Sequence, residues 1–281
     1  MAMILLQMRL QKFYMEYQLK YPEIIKLTLR KENVGPTRNA YDLFLQAKGK
    51  YLATCEGDDF WLDPNKLKRQ VSFLENHREY VGCSHPSKIV DEQGEPLNKQ
   101  RLSWVCTKRS MTLHDFKGYF LPGQASSLVR KNLYKDDING EFSFFYKAHY
   151  AIGDRTTALI YLAKGDFYRF NDTMGCYRVT RKSNSVTKNL YSCNKDWLLE
   201  DLAYTQRLIK FSEDLLHSNA DFHFYLSYLL ISALFQFLLC HNDVTKKLVT
   251  DIWKTASSKR KIIVNFPFAL WKKITNHFFA I

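Results

Sequence analysis

Glu56-Gly57-Asp58-Asp59 places three carboxylates within four residues, directly after the run Tyr51-Leu52-Ala53-Thr54-Cys55, which reads as a buried strand. Acids at the carboxyl end of a strand lie where open α/β sheets hold their ligands. Carboxylate oxygens are hard donors that suit Mg²⁺ or Mn²⁺. The plain alternative is a solvated acidic turn ahead of a helix that starts at Asp63-Pro64. A further acid, Asp154, follows Gly153 and opens a helix that runs to Leu162. A carboxylate at a helix start can take a proton from a reacting hydroxyl. It can also simply cap the helix, a role for which Asp is well suited.

The elements around these acids alternate. A helix is expected from Phe13 to Tyr21-Pro22, since proline disfavours helix at the residue before it. A short strand follows at Ile24–Leu29 and a turn at Asn33-Val34-Gly35-Pro36. Thr37 is the expected cap of a helix from Arg38 to Ala47, with Ala40, Leu43, Phe44 and Ala47 on one face. The helix Lys66–His77 turns Leu67, Val71 and Leu74 inward. Strands are expected at Tyr80–Ser84 and Lys88–Asp91, with a turn at Gly94. Ser126–Val129 reads as a strand or tight turn leading to a helix start at Lys131, and Phe167–Phe170 as a strand after Gly165. This alternation implies a layered α/β domain. From about residue 195 the pattern becomes helical, with Leu198, Leu199, Leu202, Leu208 and Ile209 at helical spacing.

The chain has 281 residues, 46% hydrophobic and 25% charged, with a net charge of +13. Such a composition is that of a folded globular chain. The basic excess suits nucleic acid, an anionic membrane surface or phosphate-bearing substrates. No RNA-recognition, helix-turn-helix or zinc-finger pattern is present, so nucleic acid is not an expected partner. The six cysteines have no paired spacing and read as free, mostly buried thiols in a reducing compartment, which with the lack of a signal peptide makes the cytoplasm the expected address.

Four blocks in order carry a resemblance: N-V-G-P-T-R-N-A at 33–40, A-K-G-K-Y-L-A-T-C-E-G-D-D-F-W-L-D-P-N-K-L at 47–67, L-P-G-Q-A-S-S-L-V at 121–129, and G-D-R-T-T-A-L-I-Y-L-A-K-G at 153–165 with M-G-C-Y-R-V at 174–179. From Tyr17 to about Ser185 the chain resembles bacterial family 2 glycosyltransferases of the GT-A fold, those that build surface polysaccharides. The resemblance implies a nucleotide-sugar donor, a glycan or lipid-linked acceptor, and a divalent cation that offsets charge on the departing diphosphate. It implies Asp58 and Asp59 as metal residues and Asp154 as the catalytic base. Glu56, Arg178 and Arg38 fall on the donor side, with Arg181 and Lys182 as weaker versions of Arg178. Gln124, Ser126, Ser127 and Trp61 fall on the acceptor side. Alternatives stay open for each: a surface Arg after a strand, a hydrogen-bonded turn, a core aromatic. Glu56 stands where the family has Asp.

The implied fold is a GT-A-like mixed sheet flanked by helices, lacking its first strands, with a C-terminal helical region: a domain over 1–194 and helices over 195–281. Family members begin with a strand–helix–strand unit that this chain does not show. Met1–Leu10 fits no family element, and suitable codons in a shifted frame spell G-D-D-S-S-T-D-E-T, so a frameshifted, truncated chain is expected. Its sheet edge would be exposed and its activity weak, and an inactive remnant or a non-catalytic partner of another glycosyltransferase is the rival reading. Phe222–Cys240 carries no formally charged side chain. It fits a buried helix, a membrane-surface helix or a span. Lys246–Ile281 interleaves aromatics with basic residues, as an interfacial segment at the inner face of the plasma membrane would.

Overall fold

The structure is a computed structural model that describes residues 2–98, 102–137, 139–179, 197–241 and 243–278. The chain forms two compact units, Met1–Gly35 and Pro36–Ile281.

In the first unit, helix α1 spans Ala2–Lys20, longer than the expected stretch from Phe13 and ending just before Tyr21-Pro22. Phe13, Tyr17 and Tyr21 stack along one side of it at helical spacing. The strand expected at Ile24–Leu29 does not form; Ile24 and Leu29 are exposed instead. A strand needs a neighbour to satisfy its backbone, and the described residues of this unit contain no other.

The second unit opens with α2 (Pro36–Gln46). Proline suits the first helical position, where its missing N–H is no loss, so the helix begins before Thr37. The Thr37 hydroxyl is freed from capping and donates to the carbonyls of His149 (2.9 Å) and Tyr150 (2.7 Å). Tyr41 is buried on this helix and Leu43 is exposed. On α3 (Lys66–Asn76) the inward residues are Lys66, Gln70 and Leu74, with Leu67 exposed.

Two mixed sheets follow. The larger has the order β1 (Tyr51–Ala53), β6 (Val129–Lys131), β3 (Tyr80–Ser84), β7 (Asp166–Arg169), β5 (Ser110–Met111). β6 runs antiparallel to both β1 and β3, β3 and β7 are parallel, and β5 closes the far edge antiparallel. β6 occupies the place where a helix was expected to start at Lys131. Pairing on both sides satisfies this segment's backbone and buries Val129 and Arg130. The smaller sheet sets β8 (Gly175–Arg178) between β2 (Phe60–Trp61), antiparallel, and β4 (Ser87–Val90), parallel. Gly82 lies where β3 meets β7. A Cβ there would come within 2.3 Å of the Phe167 ring, so only glycine lets that ring pack flat on the strand.

Short helices α4 (Leu113–Phe116) and α5 (Phe144–Ala148) lead to α6 (Asp154–Leu162), whose residues from Arg155 to Leu162 are all buried. A helix buried on every side belongs inside a core. The remaining helices, α7 (Trp197–Asp214), α8 (His223–Cys240), α9 (Asp243–Thr255) and α10 (Lys259–Phe278), help to enclose it. Leu198, Leu202, Leu208, Leu229 and Ile252 share one apolar cluster with Leu159, Ile160 and Phe167. The first half of α8 is thus a core helix. Among the described residues no helix is long and apolar enough to cross a membrane. The whole is a mixed α/β fold with a C-terminal helical region, consistent with a GT-A-like domain.

Candidate active site

The acidic turn is held from three directions. Glu56 accepts the Asp59 amide at 3.0 Å, which closes the turn. The Asp59 carboxylate then accepts Gln124 Nε2 at 2.5 Å, the Ser126 hydroxyl at 2.6 Å and the Arg178 amide at 2.9 Å. Ser126 Oγ also accepts the Glu56 amide, and Trp61 Nε1 donates to the Ser126 carbonyl. Arg178 turns its guanidinium to three carbonyls: Nε to Asp58 (2.8 Å), Nη1 to Glu92 (2.7 Å) and to Asp91 (3.2 Å). Gln124, Ser126, Trp61 and Arg178 therefore meet at the acids, where they tie the turn to β8 and to the 124–127 segment. Ser127 is fully buried, with its hydroxyl on the Gln124 carbonyl, and cannot touch a ligand in this conformation. Arg38 is engaged elsewhere, on Asp42 and over the Tyr146 ring. Arg181 and Lys182 lie outside the described residues.

With Asp59 clamped, Glu56 and Asp58 are the exposed members of the cluster, and oxygens of all three acids lie within 4.8 Å of one another. Solvent reaches Glu56, but the protein around its carboxyl desolvates it and pushes it up to about 7, helped by the charges of Asp154, Asp59 and Asp58. Burial raises Asp59 too, opposed by its hydrogen bonds from Ser126, Arg178 and Gln124. Three crowded oxygen ligands, one of them with a pKa raised by desolvation and by its neighbours' charge, fit a hard divalent cation, which would offset that charge.

Asp154 is the first residue of α6. The cap position belongs to Gly153, and among the described residues no hydrogen bond reaches the Asp154 carboxylate. The carboxylate is open to solvent, yet the protein around it raises its pKa through desolvation, opposed by Arg130. Its charge acts on Glu56, raising that carboxyl further. A Cβ on Gly153 would lie 2.6 Å from the Phe145 ring, so glycine lets α6 start this close to α5.

The first turn of α6 is anchored on the C-terminal helices. Arg155 pairs with Asp201 (3.2 Å), donates to the Thr205 hydroxyl (3.0 Å), and lies between the Tyr204 and Tyr225 rings at 4.5 and 4.3 Å. The Tyr225 hydroxyl donates to the other Asp201 oxygen, and the Tyr204 hydroxyl accepts the Thr156 amide. Arg207 holds the Ala148 carbonyl just upstream.

Sequence reasoning missed two groups at this site. The Tyr177 hydroxyl is pushed up to about 12, first by burial and then by the charges of Glu56, Asp59, Asp154 and Asp58. Arg130, buried between the Phe44 and Tyr161 rings, supplies the positive charge nearest Asp154. Tyr177 adjoins Arg178 in the sequence, a usable signal. Nothing around Arg130 in the sequence marks it.

Residues 10–137 match the family profile described as glycosyl transferase family 2. The match begins before Tyr17 and ends before Asp154 and Arg178. An uncharacterized protein of Mycobacterium tuberculosis is 29% identical over 181 residues, which is 63% of this chain and 48% of the relative, and an uncharacterized Mycobacterium bovis protein matches equally. A Bacillus subtilis protein provisionally named glycosyltransferase EpsE is 34% identical over 79 residues, 28% of each chain. The chain spans about half the length of the mycobacterial relatives it matches. The family match supports a glycosyltransferase domain in this chain.

Proposed function

We propose that this protein transfers a sugar from a nucleotide-sugar donor to a hydroxyl of a glycan or lipid-linked acceptor in surface-polysaccharide synthesis, with inversion at the anomeric carbon. The observation that carries this reading is the cluster of Glu56, Asp58 and Asp59, on which the charge of Asp154 acts, within the context of the family match. Glu56, Asp58 and Asp59 would hold Mg²⁺ or Mn²⁺, which when bound offsets charge on the diphosphate leaving group. Asp154 takes the proton from the acceptor hydroxyl as that oxygen bonds to the anomeric carbon. The Asp154 carboxylate is free of capping bonds, and its raised pKa makes it a stronger base than an exposed aspartate. Arg130 opposes that rise. The Tyr177 hydroxyl, which feels the charge of all four acids, would donate to a donor oxygen. A cytoplasmic site at the inner membrane face suits an acceptor of this class.

A donor screen with Mn²⁺, reading nucleoside diphosphate release, tests this. Release should vanish in Asp58→Ala and in Asp154→Asn. Persistence of release in both variants would remove the reading.

A further inference from the structure

Helix α10 is apolar on two opposite sides. One side packs inward: Ile262 and Ala269 are buried, the Ile262 carbonyl accepts the Ser227 hydroxyl at 2.9 Å, and Lys273 reaches Ser232. The other side carries Ile263, Val264, Phe268, Trp271 and Ile274, each 42–70% exposed. At 3.6 residues per turn these five fall within an arc of roughly 140°, opposite the buried side. The Phe268 and Trp271 rings stack within the stripe at 5.8 Å. A helix already packed on one side needs no second apolar side for the core.

The charge around this stripe identifies its partner. α10 contains Lys259, Arg260, Lys261, Lys272 and Lys273 and no acid; Lys272 and Lys273 turn inward over Phe120 and Tyr228 and Lys259 holds backbone carbonyls, which leaves Arg260 and Lys261 exposed. With α9, residues 243–278 hold eight basic residues against Asp243 and Asp251, or +6 of the chain's +13. A second copy would set the same positive charge against itself. An anionic lipid surface is complementary to it, and aromatic side chains favour the headgroup boundary. Pro267, exposed in the same stripe, cannot donate to the Ile263 carbonyl, which leaves a polar group that hydrated headgroups satisfy.

We infer that α10 docks the protein in the plane of an anionic phospholipid bilayer, its outer stripe at the headgroup–acyl boundary and its exposed Arg260 and Lys261 on the lipid charge. The inference stands on α10 and is independent of the transferase reading.

Vesicle co-sedimentation of the full chain tests it without any activity assay. Vesicles of phosphatidylcholine with about 30 mol % phosphatidylglycerol should bind about tenfold or more tightly than phosphatidylcholine alone. The difference should shrink at about 0.5 M salt. Val264→Ser/Trp271→Ser should lose about tenfold of the binding with unchanged melting. A fluorescence blue shift on binding should be absent in Trp271→Phe. Equal binding to both vesicle types would overturn the inference, as would undiminished binding by the double variant. It would also fall if the wild type is a dimer that this variant dissociates, since the face would then be an interface between copies.

Discussion

Asp201→Ala is the sharpest test of how the candidate base is positioned. Asp201 binds Arg155 through one oxygen and the Tyr225 hydroxyl through the other, and all three residues are buried. Removing this carboxylate leaves a guanidinium without its counter-charge inside the protein. Breaking a buried pair in this way costs about 3–5 kcal/mol. The loss of Tyr225's acceptor belongs to the same network and is not added separately. At roughly 2–4 °C per kcal/mol for a domain of this size, the melting temperature should fall by roughly 6–20 °C. Arg155→Met/Asp201→Leu removes both charges and fills the space, so it should recover most of the loss. Donor turnover should fall in Asp201→Ala below the denaturation range, because the first turn of α6 carries Asp154. Calorimetry and a turnover assay on the three proteins decide the matter. Melting of Asp201→Ala within about 2 °C of wild type would refute the account.

Glu56 titrates at about 7 in the folded chain against 4.5 as a free side chain, so the folded state holds the extra proton between those values. Through this group the metal-free protein loses stability as pH rises across that window, and metal affinity tightens as the proton leaves; Mn²⁺ titrations at several pH values should show the trend, and Glu56→Gln should flatten it. Asp154→Asn should abolish sugar transfer while leaving the melting temperature equal or higher, because it removes a desolvated charge with no hydrogen-bonded partner among the described residues. Gly82→Ala should cost about 1–3 kcal/mol in denaturant unfolding, since the methyl group meets the Phe167 ring. Gln124→Ala should cost about 1.5–3 kcal/mol by taking a donor from the buried side of the Asp59 carboxylate, and a melting curve unchanged from wild type would count against the clamp.

The elements that local pattern decides were readable in the chain. α6 begins and ends at the expected Asp154 and Leu162, and β3 spans the expected Tyr80–Ser84. Elements that depend on a distant partner were not. Ile24–Leu29 has strand composition but no strand beside it, and Lys131 ends a strand because β1 and β3 flank it. The same division runs through the site. The acidic cluster is contiguous, so its grouping was visible. The hydrogen bonds that commit Gln124, Ser126 and the Arg178 amide to Asp59 span 65 to 119 residues, and no spacing rule reveals them. Thr37 looked like a cap because the proline before it was counted as turn; its hydroxyl instead serves a loop more than a hundred residues away.

The anchoring of α6 on α7 and α8 bears on how such a protein can be altered. A chain cut at the change of pattern near residue 195 would strip Arg155 of Asp201 and Thr205 and bare the apolar side chains around Leu159. What remained would be a damaged core and not a smaller catalytic module. Exchanging these helices between relatives would likewise require the contacts of Arg155 and Thr156 to travel with them. The C-terminal helices and the candidate base are a single heritable unit, so change in α7 and α8 must preserve what holds Arg155 and Thr156.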